Sequence, residues 1–231
     1  MLILGLQKTT LLDYPGLVAS TIFTGGCNFR CPFCHNGDLV LHPGDFPVFD
    51  ETDILDHLNA RKKILDGICI TGGEPTLQKD LPDFIKKIKD LSLKVKLDTN
   101  GTNPDMVRRL INQGLVDYVA MDIKHCPDKY NSIACFDNFD LKVINESIRL
   151  LMESDIDYEF RTTLMRECHN MDDIIKIGQW LAGARAYYLQ AYKESDAVIN
   201  PVFSSPDTAT INSFRSALIS YIPNTFIRGI D

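Results

Sequence analysis

Apolar residues in this chain change their spacing repeatedly, from every second position to every third or fourth. Short β-branched runs predict strands at residues 18–23, 67–71, 94–98, 117–123, 158–164 and 186–192, with a weaker one at 225–230. The segments between them carry apolar residues three and four apart, as in Ile54, Leu55 and Leu58. They predict helices at 53–65, 79–91, 104–113, 142–154, 171–181 and 208–221. Pro104 suits a first helical turn, where a missing N–H costs nothing. Strand–helix alternation at this spacing means right-handed βαβ units on a parallel sheet. Six or seven units without a dinucleotide glycine fingerprint suggest a barrel, complete or partial. The 231 residues fall short of the ~250 of a full barrel. No linker, repeat or low-complexity stretch divides the chain, so residues 1–231 are read as a single domain. Residues 200–207, NPVFSSPD, are read as a surface loop only.

The polar residues follow the strands. A cysteine loop comes after the first strand, and Thr71-Gly72-Gly73-Glu74-Pro75 after the second. The third ends in Asp98-Thr99-Asn100-Gly101 and the fourth in Asp122-Ile123-Lys124. The fifth carries Arg161-Thr162-Thr163, and the sixth Gln190 and Tyr192. In a barrel all these C-terminal ends face one mouth, where active sites sit. Taken singly, each group has a plainer use. Gly72 to Pro75 makes an ordinary turn. Asp98 with Asn100 starts a loop and caps the helix at Pro104. Arg161 pairs with Glu159, and Asp13-Tyr14-Pro15-Gly16 is a turn. Their joint placement favours a site.

Composition removes several classes. Hydrophobic residues make up 45%, enough for a real core, and 24 basic against 31 acidic residues leave a net charge of −7. That balance disfavours nucleic acid as a partner. No apolar run approaches the ~18 residues of a membrane span, and MLILGLQKTT lacks the basic start of a signal peptide. A cytoplasmic chain is therefore expected, with its seven cysteines reduced.

Three of those cysteines fall in Gly25 to Asn36, GGCNFRCPFCHN, at Cys27, Cys31 and Cys34. The spacing is C-x3-C-x2-C, without the second pair a structural zinc site uses. Three sulfurs suit three corners of a [4Fe–4S] cluster and leave its fourth iron open for chemistry. The other reading is a zinc-stabilised binding module that borrows His35 as a fourth ligand. Cys69 is expected to pack as a small hydrophobe, and Cys126 and Cys135 are too few for a second cluster.

CNFRCPFCHN, with Gly72-Gly73-Glu74, resembles the radical S-adenosylmethionine (SAM) enzymes, and within them the glycyl-radical-enzyme activases. The activating enzyme of pyruvate formate-lyase is among these. The lead-in GLQKTTLLDYPG most resembles the activating proteins of anaerobic ribonucleoside-triphosphate reductase. The resemblance implies a partial (β/α)6 TIM-like barrel with parallel strands, open on one side. It also implies one [4Fe–4S] cluster on Cys27, Cys31 and Cys34, with SAM chelating the open iron. One electron, from a reduced flavodoxin or ferredoxin, would give methionine and a 5′-deoxyadenosyl radical, which takes a hydrogen from a glycine of a partner enzyme. Carried over by position, Phe33 packs beside the cluster, and the backbone through Cys34 and His35 lines the cofactor. Gly72 and Gly73 let the chain approach the methionine moiety, and Glu74 orients its ammonium. Asp98, Thr99 and Asn100 lie in a segment near its carboxylate. Asp122 and Lys124 match a D-x-K segment, with Lys124 the partner of that carboxylate. The two aspartates could hold a monovalent cation. Arg161 faces the carboxylate or ribose, and Gln190 the adenine or ribose. A small-molecule radical enzyme resembling the carboxy-deazaguanine synthases is the alternative.

Overall fold

The computed structural model describes residues 1–135, 139–195 and 197–230. One sheet holds eight strands in sequence order: β1 (Ile3–Thr10), β2 (Ala19–Thr24), β3 (Gly67–Gly72), β4 (Lys94–Thr99), β5 (Tyr118–Asp122), β6 (Asp157–Leu164), β7 (Tyr187–Ala191) and β8 (Thr225–Arg228). β1 runs antiparallel to β2, and every later pair is parallel. Among the described residues β1 and β8 do not pair, so the sheet stays open between them. The expected partial barrel of parallel strands, open on one side, is the observed one, with an antiparallel strand added at one edge. β1 was not expected. Its second half, Gln7-Lys8-Thr9, is exposed and polar, which is how an edge strand guards its free side but which hides the strand from a hydrophobic pattern.

Helices α1 (Gly37–Leu41), α2 (Glu51–Arg61), α3 (Leu81–Asp90), α4 (Pro104–Asn112), α5 (Tyr130–Ala134), α6 (Lys142–Glu153), α7 (Met171–Trp180) and α8 (Thr208–Leu218) connect the strands. The short α1 and α5 carry too few turns to show a period, and neither was expected. α3 illustrates the packing. Leu81, Phe84, Ile85 and Ile88 recur on one face and are buried, while Lys86, Lys87 and Lys89 lie on the other side or at its margin. Each such buried side chain contributes roughly 1.5–3 kcal/mol. α4 is capped by Asn103, whose side chain accepts from the Met106 N–H at 3.2 Å, so Asp98 and Asn100 are not its caps. No helix among the described residues is long and apolar enough to cross a membrane.

The strands split their faces by alternation. Ile68, Ile70, Val95, Leu97, Val119, Met121 and Phe160 form the hydrophobic core with the helices. The intervening positions, Lys96, Asp98, Asp122, Glu159 and Arg161, sit on the opposite face of the sheet. Tyr14 crosses the N-terminal ends of β3 and β5, with its ring 6.0 Å from that of Tyr118. A side chain at Gly67 would meet the Tyr14 ring at 3.2 Å. Asp13-Tyr14-Pro15-Gly16 is thus more than a turn, because it closes the lower end of the sheet. The 200–207 segment is not merely surface either. Its Asn200 N–H donates to the Pro32 carbonyl at 2.8 Å and ties it to the cysteine loop.

Candidate active site

A cavity of about 580 Å³ occupies the concave side of the sheet. Phe33, Cys34, His35, Gly72, Gly73, Glu74, Asp98, Thr99, Asn100, Asp122, Lys124, Arg161 and Gln190 all line it, together with Cys27 and Cys31. A single fold thus gathers side chains that lie up to 163 positions apart in sequence.

The cysteine loop is held from three sides. Asn36 donates to the Gly72 carbonyl at 2.9 Å, Glu74 N–H donates to the Gly26 carbonyl at 2.8 Å, and Arg30 N–H donates to the last carbonyl of α5 at 3.1 Å. Phe33 is buried. Burial pushes the Cys27 thiol up to about 11 and the Cys31 thiol up to about 12, while Lys124 opposes the shift at both. Ligation must therefore displace protons from these sulfurs. Zinc fits them poorly. Two thiolates on one zinc lie about 3.8 Å apart. Among the described residues only His125, Cys126 and Asp173 bring three donor atoms within 4.8 Å of one another, and the loop thiols do not. His35 is turned away as well, with Nε2 2.6 Å from the Lys193 carbonyl and its ring 5.4 Å from that of Tyr192. Three separated thiols at a cavity wall fit a larger iron–sulfur cluster. Asn100 Nδ2 lies 3.7 Å from the Cys27 sulfur, and Phe29 N–H donates to it at 3.3 Å. Such donors tune a cluster's potential.

Gly72, Gly73 and Glu74 each also serve the protein's own structure. Gly73 is required by the protein's own backbone, since a Cβ there would sit 1.9 Å from the Gly26 carbonyl oxygen. Gly72, at φ +112°, would place one 2.3 Å from Thr24 N. The glycines thus let the strand end pack against the cysteine loop, and that close approach accounts for them before any ligand does. Glu74 is fully buried and its oxygens are already engaged. Oε1 accepts from Thr76 N–H at 3.1 Å, Thr76 Oγ1 at 2.5 Å and Thr99 Oγ1 at 2.7 Å, and Oε2 accepts from Asn100 N–H at 2.6 Å. It clamps the β3 and β4 ends together and so aims Asn100 at Cys27. Glu74→Gln turns an acceptor into a donor facing these N–H and O–H groups. It is expected to cost roughly 1–3 kcal/mol, read by urea denaturation of the cluster-free protein, and to lower the iron bound on reconstitution.

The cavity floor is a row of charges. Arg161 Nε donates to Asp122 at 2.8 Å and its NH1 to Asp98 at 3.1 Å. Strand register sets the first contact, because Asp122 and Arg161 are paired residues of β5 and β6. Lys124 Nζ reaches Asp122 at 3.1 Å and stands 5.9 Å from the Phe33 ring centre. Lys96, buried, donates to Asp98. Burial alone would raise the Asp98 and Asp122 carboxyls, but Arg161 and the lysines hold both below the usual range. Arg161 does not pair with Glu159. That carboxylate takes two bonds from Arg228, at 2.6 and 2.9 Å, and one from Tyr118 at 2.8 Å. Gln190 lines the cavity beside Arg228, its neighbour in register. Lys96, Gln7, Asp13, Thr21 and Arg228 were missed in the sequence. Lys96 left a signal there as a charged residue in a strand run two places before Asp98, and Gln7 and Asp13 lie within the GLQKTTLLDYPG lead-in. Cys69 is buried in the strand, but on the inward face with its sulfur 3.7 Å from Lys96 Nζ and not as a member of the apolar core, while Cys126 is buried and Cys135 exposed.

A concave parallel sheet, a three-cysteine loop at its mouth and a charged floor define a radical SAM enzyme. The Radical SAM superfamily model matches residues 21–181, and the chain belongs to that superfamily. A Methanocaldococcus jannaschii protein provisionally named a glycyl-radical enzyme activating enzyme is 33% identical, over 100% of this chain and 97% of its own. A 7-carboxy-7-deazaguanine synthase of Thermoplasma acidophilum is 26% identical over 64% of this chain and 66% of its own. Streptococcus suis SuiB bound to S-adenosylmethionine shares the fold, with a TM-score of 0.68 at 15% identity. It covers 88% of this chain, which spans only 48% of that structure.

Proposed function

We propose that this chain is an activase that installs a radical on a glycine of a partner enzyme, with anaerobic ribonucleoside-triphosphate reductase as the partner. Cys27, Cys31 and Cys34 would hold the [4Fe–4S] cluster, and SAM would lie across the cavity, its carboxylate toward Lys124. When bound, these groups supply one electron to the sulfonium and a 5′-deoxyadenosyl radical, with reduced flavodoxin or ferredoxin as the electron source. The chain's own residues do the rest. Phe33 and the Pro32 contact of the 200–207 segment screen the loop from water. The Glu74 clamp fixes Asn100 on the Cys27 sulfur. Asp98, Asp122 and Arg161 form a rigid floor against which a cofactor is oriented.

The observation that carries the choice of substrate is the reach of the cavity. It extends past the cofactor residues to Gln7 on β1 and to Arg228 and Gly229 at β8, the two free edges of the open sheet. A polypeptide loop could enter between them. The small-molecule alternative, an anionic substrate of the deazaguanine-synthase kind, would draw on the cations of the same cavity, Lys124, Arg161, Arg228 and the exposed Lys193, and the experiment below separates it from the activase reading.

The test is anaerobic reconstitution with SAM, a reductant and a candidate glycyl radical enzyme. The expected result is a glycyl electron paramagnetic resonance (EPR) signal on the partner, with one 5′-deoxyadenosine formed per radical. Exposure to oxygen should then cut the partner at that glycine. Turnover driven by a small molecule, with no partner gaining a signal, would sink the reading.

A further inference from the structure

The resemblance to the activases allows a monovalent cation between Asp98 and Asp122, yet the donor set does not fit one. Both oxygens of each carboxylate already accept from a resident cation. Asp98 Oδ1 takes Lys96 Nζ, and Asp98 Oδ2 takes Arg161 NH1 at 3.1 Å. Asp122 Oδ1 takes Arg161 Nε at 2.8 Å, and Asp122 Oδ2 takes Lys124 Nζ at 3.1 Å. Three cations thus face two anions, an excess of one positive charge. A cofactor carboxylate would bring that sum to zero. Adding a potassium ion would leave the group positive in a largely buried place, where an unbalanced charge is costly.

Lys96 supplies the surplus. Its side chain is 2% exposed, on the inward face of β4 two residues before Asp98. Apart from Asp98, the contact made by its ammonium is the Cys69 sulfur at 3.7 Å. Burial pushes the Lys96 ammonium toward deprotonation, but the Asp98 carboxylate more than reverses this and keeps it charged. We infer that the Lys96 ammonium stands where relatives are expected to carry a monovalent cation, so that SAM binding in this protein is independent of sodium and potassium. Lys96 is a positioning residue. It fixes Asp98, which with Arg161 fixes the floor against which the SAM carboxylate lies. The inference rests on the proposed placement of SAM in this cavity.

The experiment titrates SAM into the reconstituted, dithionite-reduced protein. It follows the cofactor-dependent change in the cluster's EPR signal at constant ionic strength in tetramethylammonium, sodium or potassium chloride. For the unaltered protein the apparent Kd should change by less than about fivefold between salts, the low end of ordinary coupling between two sites. Lys96→Met keeps the length of the side chain and removes its charge. In tetramethylammonium it should bind SAM about tenfold more weakly, and potassium should restore at least about fivefold of this. Restoration by a bare ion is something a merely structural role would not give. Potassium dependence of about fivefold or more in the unaltered protein overturns the inference, whether or not the variant folds. So does a variant that is weakened but not restored, or one that binds as the unaltered protein does. A signal indifferent to SAM in every salt instead refutes the proposed placement of the cofactor, which keeps the two failures apart.

Discussion

Cys31→Ala should give a folded protein that holds no intact cluster and shows no response to SAM. Cys31 is 6% exposed and packs with the hydrophobic core, so its removal costs about 1 kcal/mol, within the range of ordinary substitutions. The turn that carries it survives, because the Cys34 N–H bond to the Cys31 carbonyl, at 3.0 Å, is backbone to backbone. Loss of one of three ligating sulfurs is different in kind. Even partners one shell out from a metal cost 10–100-fold when removed, so deletion of a ligand should exceed about 100-fold in activity. His35 cannot step in, since its ring is held on Tyr192 and its Nε2 on the Lys193 carbonyl. Iron and sulfide content, far-ultraviolet circular dichroism and the EPR signal of the reduced protein together read the outcome. A full cluster in the variant would show that the ligand set is wrong. An unfolded variant would show that Cys31 serves the core first.

The parts of this site that could be read from sequence are those whose chemistry is local. The cysteine loop, Gly72-Gly73-Glu74, Asp98-Thr99-Asn100 and Asp122-Ile123-Lys124 each form a short run, and strand alternation sends their side chains to one mouth. What each residue touches is set by register between strands, and no single run contains that. Glu74 was expected to meet a ligand, yet its donors come from Thr76, Thr99 and Asn100 across the β3–β4 boundary. Arg161 was matched with Glu159, two residues away on the same strand, but the Glu159 carboxylate is taken by Arg228 and Tyr118. Register instead brings Asp122 beside it. The missed strand β1 and the missed barrel plug Tyr14 have a related cause. One is a polar edge, and the other is a single aromatic in a turn-like sequence whose partner, Tyr118, lies 104 positions on. Lys96 went unread because a lysine inside a strand usually points to solvent, and only the curvature of the sheet buries it.

Arg161→Met should be among the most destabilising single changes in the protein. The guanidinium is 12% exposed and serves two carboxylates, Asp122 at 2.8 Å and Asp98 at 3.1 Å. Removing it leaves two partly buried anions with one lysine each, and breaking a buried pair in this way costs about 3–5 kcal/mol. Partial exposure of Asp122 puts the expectation at the lower end of that range. Burial raises both carboxyls, yet Arg161 and the lysines bring them below the unfolded value of about 3.9. Stability from a depressed carboxyl is present above the unfolded pKa and is lost as pH falls toward the folded one. In the variant the folded values rise, so less of that stability exists at neutral pH to be lost. The difference between unaltered protein and variant should therefore be largest near about pH 7 and shrink as pH falls to about 4 and below. Urea denaturation of the cluster-free proteins across that range measures it. A deficit that stays constant with pH would assign the loss to packing, and Arg161 would no longer be the electrostatic keystone of the cavity floor. The same variant should bind SAM weakly even where it remains folded, because loss of Arg161 removes the excess positive charge that the cofactor's carboxylate would balance.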